Sequence, residues 1–183
     1  YRSVHDMAAE SNAILAIDGD YAFSREYGPI VRNGAFLRDT GFDDILVYYT
    51  DGSMRIFRGN AFDMDAEMEK GAVQVWSFGP ALLDAEGKSI DKFNTNIAGL
   101  NPRAALGYYE PGHYCFVVVD GRGENGSRGY KLEELLFESL GCTLAYNFDG
   151  GKSAVMVWDG DTTVNTPAGG GRNVTDILYI AKE

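Results

Sequence analysis

Apolar residues in this chain fall in short runs broken by Gly, Asn, Asp and Pro, a spacing that predicts strands and turns more often than helices. Residues 14–17 read as a buried strand ending at Asp18-Gly19-Asp20. Residues 30–32 and 35–37 flank Asn33-Gly34, a strong hairpin signal. Residues 45–50 and 54–57 flank Asp51-Gly52, and residues 104–109 and 114–119 flank Pro111-Gly112, predicting two further hairpins. Residues 73–76, 143–148, 154–158, 162–164 and 177–180 complete the predicted strands. Helices are expected at 3–11, where Ser3 and Asp6 resemble a capping box, and at 63–70, which Gly71 ends. The clearest helical spacing lies at 131–140, with Leu132, Leu135, Leu136 and Leu140 on one face and Gly141 behind them. Residues 84–99 and the glycine-rich stretch 121–129 read as loops. Hairpins mixed with few helices predict an α+β fold built on a largely antiparallel or mixed sheet, as a single domain over 1–183.

Bulk composition narrows the partners. The chain has 183 residues, is 45% hydrophobic, and carries a net charge of −11. That charge argues against nucleic acid or an anionic membrane surface as the main partner. It does not exclude an anionic small molecule, because local arginines decide that. No run reaches the ~18 apolar residues of a membrane span. No signal peptide is present, and the chain starts at Tyr1 without Met, as a processed chain would. Two cysteines, Cys115 and Cys142, cannot build a disulfide framework. They read as buried free thiols, with a single bridge as the alternative. His5 and His113 are too few for a histidine metal site.

The densest chemistry is Asn147-Phe148-Asp149-Gly150-Gly151-Lys152-Ser153, set between two predicted strands. A carboxylate, an amide, an ammonium and a hydroxyl crowd around two glycines there, and glycine lets a ligand approach the backbone. A plain turn would also use Asp-Gly-Gly. Gly151-Lys152-Ser153 is not the end of a phosphate-binding P-loop, because Tyr146 occupies the position of the first glycine. Polar clusters also follow other strands: Asp18 with Asp20, Asp120 with Arg122, and the loop from Asn165 to Arg172. Several such clusters suggest a shared rim, although solvated turns would look the same.

A series of short motifs then appears in order: Ala16-Ile17-Asp18-Gly19-Asp20-Tyr21, Val31-Arg32-Asn33-Gly34, Phe78-Gly79-Pro80 and Pro102-Arg103-Ala104. Val118-Val119-Asp120-Gly121-Arg122, Leu140-Gly141-Cys142, the 145–153 segment, Val164-Asn165-Thr166-Pro167 and Arg172-Asn173-Val174 continue it. With this order and spacing the chain resembles the phosphodiester glycosidase domain family over residues 12–182. The resemblance implies hydrolysis of a sugar joined through its anomeric carbon to a phosphodiester, in an extracellular or envelope-associated setting. Two positions depart from the family pattern: Asp18 stands where Asn is usual, and Lys152 where a third glycine is usual. Only eleven residues precede Asn12, which reads as a domain trimmed at its N-terminus.

The chemistry and the resemblance together set the expected roles. Breaking the anomeric C–O bond leaves negative charge on a phosphate, so cations that hold it matter more than a strong acid. Arg103 and Arg122 are expected on the phosphate, with Arg172 in support, because a guanidinium pairs bidentately with phosphate oxygens. Asp149 is the first candidate for nucleophile, base or charge stabiliser, Asp120 the second and Glu134 the third. Asn147 and Ser153 are expected on sugar hydroxyls, and Asp18, Asp20, Gly150, Gly151, Lys152 and Asn165 among the binding residues. A Ca²⁺ ion near Asp18 and Asp20 is a further expectation, and no other cofactor is implied. A phosphodiesterase cutting P–O and a non-catalytic glycan-binding module are the alternatives.

Overall fold

The structure, a computed structural model, describes residues 1–123 and 126–182. The described residues form two α-helices and twelve strands, and every strand pairing is antiparallel. The architecture is α+β. Helix α1 (Val4–Glu10) is capped by Ser3, whose Oγ accepts from the Asp6 amide at 3.0 Å. Helix α2 (Met64–Glu69) is capped in the same way by Asp63.

Three sheets follow. The first orders β11 (Thr162–Thr163), β10 (Met156–Trp158), β1 (Ala13–Asp18) and β12 (Ile177–Ala181). The second orders β3 (Ala35–Arg38), β2 (Ile30–Arg32), β6 (Ala72–Trp76), β4 (Asp44–Tyr49) and β5 (Met54–Arg58). The third orders β8 (His113–Val119), β7 (Arg103–Glu110) and β9 (Leu144–Asn147). Each expected hairpin forms: β2–β3, β4–β5 and β7–β8. The remaining pairings join segments far apart in sequence, such as β1 with β10 and β12.

The sheets meet over a shared core, to which Ile17, Leu46, Leu106, Tyr146, Phe148 and Leu178 contribute. The buried Tyr146 hydroxyl donates to the Asp44 carbonyl at 2.7 Å. The Phe148 ring packs edge-on against Trp76 and Tyr146, with centroids 5.9 and 5.4 Å away. Truncating a ring held this way costs about 3–5 kcal/mol, so Phe148 anchors the segment that follows it.

One expected helix is absent. Residues 131–140 form two short 3₁₀ turns, Leu132–Glu134 and Phe137–Leu140, with non-helical ψ at Leu135 and Leu136 between them. Leu132, Leu135 and Phe137 are buried, whereas Leu136 and Leu140 are about half exposed. The Glu134 carboxylate accepts from the Lys131 amide and closes the first turn. Burying Phe137 in place of Leu136 then breaks the helical period, so tertiary packing overrides propensity. The predicted strand at 154–158 also starts late, because Gly151–Ser153 forms a 3₁₀ turn. The 121–129 loop includes residues 124 and 125, which lie outside the described residues.

Candidate active site

A cleft forms where strand ends converge. β7 begins at Arg103, β8 ends opposite it at Val119, and β9 ends at Asn147 opposite Ala105. β1 ends at Asp18 on the adjoining sheet. Backbone bonds tie these ends together. The Asp149 amide donates to the Gly19 carbonyl at 3.1 Å, Phe148 to Ala104 at 2.8 Å, and Gly151 to Pro102 at 3.0 Å. A cavity of roughly 220 Å³ opens there, lined by Arg103, Arg122, Asn147, Asp149, Lys152 and Arg172 among others.

Asp149 is fixed on both oxygens. Oδ1 accepts from the Gly150 amide at 2.9 Å, and Oδ2 from Ser153 Oγ at 2.6 Å and Arg172 Nη2 at 2.5 Å. The buried Ser153 hydroxyl also accepts from Arg172 Nε at 2.5 Å. Ser153 therefore locks Asp149 to Arg172, and its hydroxyl is directed at them instead of at an incoming sugar. The Arg172 guanidinium lies over the Tyr21 ring, 5.4 Å from its centroid.

The glycines admit a cation. Gly151 has φ +63°, and a Cβ there would stand 2.7 Å from Arg122 Nη2. Any side chain would displace the guanidinium and strain the backbone. Arg122, itself at φ +62°, touches Asn101 Oδ1 at 3.4 Å and is otherwise exposed above the glycines. Lys152 extends past Gly169, where a Cβ would lie 3.1 Å from its Cε.

Asn147 is buried, and its Nδ2 donates to the Gly79 carbonyl at 2.8 Å. Its Oδ1 is buried without a hydrogen-bond partner, although Asn147 lines the cavity. Asp18 is fully buried, and neither of its oxygens has a hydrogen-bond partner. Burial first, and then the Asp149 carboxylate, push its pKa well above the usual carboxylate range. The Val155 amide offsets this only in part, without reaching hydrogen-bond geometry.

Other expected site residues have different roles. Arg103 lines the cavity, but its Nε donates to the Tyr130 carbonyl at 2.9 Å and its Nη2 to those of Ile97, Ala98 and Gly99. Burial lowers its pKa to about 10, and Glu133 and Glu134 oppose that. It holds the cavity wall together and leaves Nη1 as its remaining donor. Asp20 is buried behind the cleft, 2.6 Å from Arg32 and 3.4 Å from Arg25, and accepts from the Ser77 amide at 3.0 Å. It is fully buried and off the cavity lining, so its oxygens do not reach a substrate. Among the described residues no three His, Cys, Asp or Glu side chains gather near Asp18 and Asp20, where Ca²⁺ was expected.

Asp120 accepts from Asn165 Nδ2 at 2.9 Å and the Thr166 amide at 3.0 Å. Asn165 also accepts from the Met156 amide and donates to the Ala154 carbonyl. This pair fastens the 165–172 loop that delivers Arg172, and neither residue lines the cavity. Glu134 pairs with Arg128 at 2.7 Å, caps its own turn, and lies off the cavity lining. Phe78 and Asn101 line the cavity without having been expected there. Their only sequence signal is position, inside or next to the Phe78-Gly79-Pro80 and Pro102-Arg103 motifs.

Strand ends from two antiparallel sheets and a glycine turn thus frame a cation-rich cavity. The chain belongs to the phosphodiester glycosidase family, whose profile matches residues 11–181. It is 29% identical over 191 aligned positions to the SPbeta prophage-derived uncharacterized protein YomE of Bacillus subtilis strain 168, covering 98% of this chain and 29% of that protein. It thus spans less than a third of that relative's length. Among solved structures, the zebrafish N-acetylglucosamine-1-phosphodiester α-N-acetylglucosaminidase catalytic domain, auto-inhibited by its pro-peptide, superposes with a TM-score of 0.76 at 21% identity. That match covers 100% of this chain and 68% of the zebrafish chain. A hypothetical protein from Synechocystis superposes at 0.63 with 13% identity, covering 98% of this chain and 54% of that one.

Proposed function

We propose that this chain hydrolyses the anomeric C–O bond of a sugar-1-phosphodiester, releasing free sugar and a phosphate monoester. One observation carries the reading. In a chain of net charge −11, four cationic side chains and one carboxylate line a single small cavity, among the described residues. Arg122 and Lys152 are the free-standing cations for the phosphate, with Arg172 and Arg103 Nη1 at its edge. As the C–O bond stretches, the phosphate gains charge where these donors already point, and preorganised donors need no rearrangement.

Asp149 faces the other end of the reaction. The departing phosphate leaves positive charge on the anomeric carbon, and Asp149 is the carboxylate available to stabilise it or to direct water. An ordinary glycosidase needs a second carboxyl to protonate an alkoxide. Here the leaving group is a phosphate monoester with a second pKa of about 6, so one carboxylate suffices. The Asn147 side chain, at the cavity lining, is assigned to the sugar side of the bond. We place this chemistry in surface or envelope glycan metabolism, as the sequence resemblance implies. Among the described residues no helix is long and apolar enough to cross a membrane.

The test is turnover of sugar-1-phosphodiesters in ¹⁸O-labelled water. The proposal expects label in the released sugar and little activity on alkyl glycosides of the same sugar. Label in the phosphate would mean a P–O phosphodiesterase. Binding without turnover would mean a glycan-binding module.

A further inference from the structure

Away from the cleft, the third sheet brings two thiols against each other. Cys115 on β8 and Cys142, just before β9, are free cysteines whose Sγ atoms lie 3.7 Å apart. Both belong to the cluster that packs Leu132, Phe137 and Ala145 on one face of the sheet. Gly107 on β7 stands opposite Cys115 in the ladder. Its φ lies outside the left-handed region, so its backbone does not require glycine. A Cβ there would stand 2.6 Å from both sulfurs and 2.8 Å from the Phe137 ring. The missing side chain is what lets the two thiols meet. Tyr109, two residues along the same strand, packs against the same cluster.

We propose that Cys115 and Cys142 are a cross-link site, closing to an intramolecular disulfide when the protein meets a small-molecule disulfide oxidant. The sulfurs must close from 3.7 Å to the about 2.05 Å of a disulfide. Cys115 is partly exposed and Cys142 is buried, so the first attack falls to Cys115. Its thiolate displaces one thiolate from the oxidant and forms a mixed disulfide. The Cys142 thiolate then attacks the Cys115 sulfur and releases the second thiolate. Two protein thiols are oxidised, one oxidant disulfide is reduced, and two protons are released. Burial pushes the Cys142 thiol up to about 11, so its thiolate is scarce and its attack on the mixed disulfide is the slower of the two steps.

The closed loop spans residues 115–142. It contains Asp120, which fastens the 165–172 loop, and Arg122, which stands over Gly151. Oxidation would therefore restrain one wall of the cleft without touching a residue that faces it.

The folded protein is incubated with oxidised glutathione, then denatured, alkylated with iodoacetamide and weighed intact. The reduced control carries two alkyl groups. The proposal expects the oxidised monomer to carry none, with no glutathione retained, and its Tm to rise by about 5–10 °C. Cys115→Ser and Cys142→Ser each keep one alkylatable thiol or one glutathione and show no such rise. Retention of both thiols in the wild type, a stable glutathione adduct there, or a disulfide-linked dimer would each overturn the proposal.

Discussion

Asp18 offers a stability measurement whose sign follows from burial alone. Its carboxyl is fully buried, makes no hydrogen bond, and lies near the Asp149 and Asp176 carboxylates. Its pKa in the fold is therefore well above the value of about 3.9 expected in the unfolded chain. Below pH about 3.9 the group is protonated in both states and adds no pH dependence. Above that, the unfolded chain releases the proton while the folded chain keeps it. Stability then falls by about 1.4 kcal/mol per pH unit until the folded group also ionises. The loss accumulates at that slope for as long as the folded chain alone keeps the proton.

Asp18→Asn removes this titration while nearly preserving shape. A buried amide needs partners of its own, so a constant offset between the two proteins is expected. The readout is the slope. Urea-denaturation midpoints of both proteins are measured as pH is raised from about 4. Asp20, which burial pushes to about 6 against the pull of Arg32, titrates in both proteins and cancels in the difference. The variant should gain on the wild type steadily as pH rises above about 4, at up to about 1.4 kcal/mol per pH unit relative to the starting offset. Parallel curves would refute the reasoning, because they would mean that Asp18 holds no proton that the unfolded chain lacks.

Three further outcomes follow from the cleft. Asp149→Asn should nearly abolish turnover at a Tm close to that of the wild type, and activity within about tenfold, or 1.4 kcal/mol of barrier, would remove Asp149 from the chemistry. Arg122→Ala should raise the inhibition constant of inorganic phosphate by about tenfold or more, since charge-assisted bonds contribute about 1.5–3 kcal/mol, and an unchanged constant would take Arg122 off the phosphate. Arg103→Lys should lower stability by about 2–3 kcal/mol, because an ammonium cannot reach four separated carbonyls as a guanidinium fork does, and a wild-type denaturation midpoint would contradict its role in the cavity wall.

Local signals in the chain determined the hairpins, both capped helices and the strand-end position of the polar motifs. Each rests on short-range chemistry: Asn33-Gly34 turns a chain whatever lies around it, and Ser3 caps a helix from three residues away. The crowding of polar groups from Asn147 to Lys152, which line the cavity, was legible for the same reason. Residues 131–140 were misread because the leucine spacing carries no record of which ring the sheet would bury. Nothing local tells that β1 pairs with β10 and β12, or that Asp149 bonds to Gly19. Only the tertiary structure separates Asp18 from Asp20, one buried without a partner and the other neutralised by arginines. It also sets Asn165, an expected ligand, and Asp120, an expected catalytic carboxylate, against each other at the foot of the 165–172 loop, because a polar group's role depends on which partner the fold brings within about 3 Å of it.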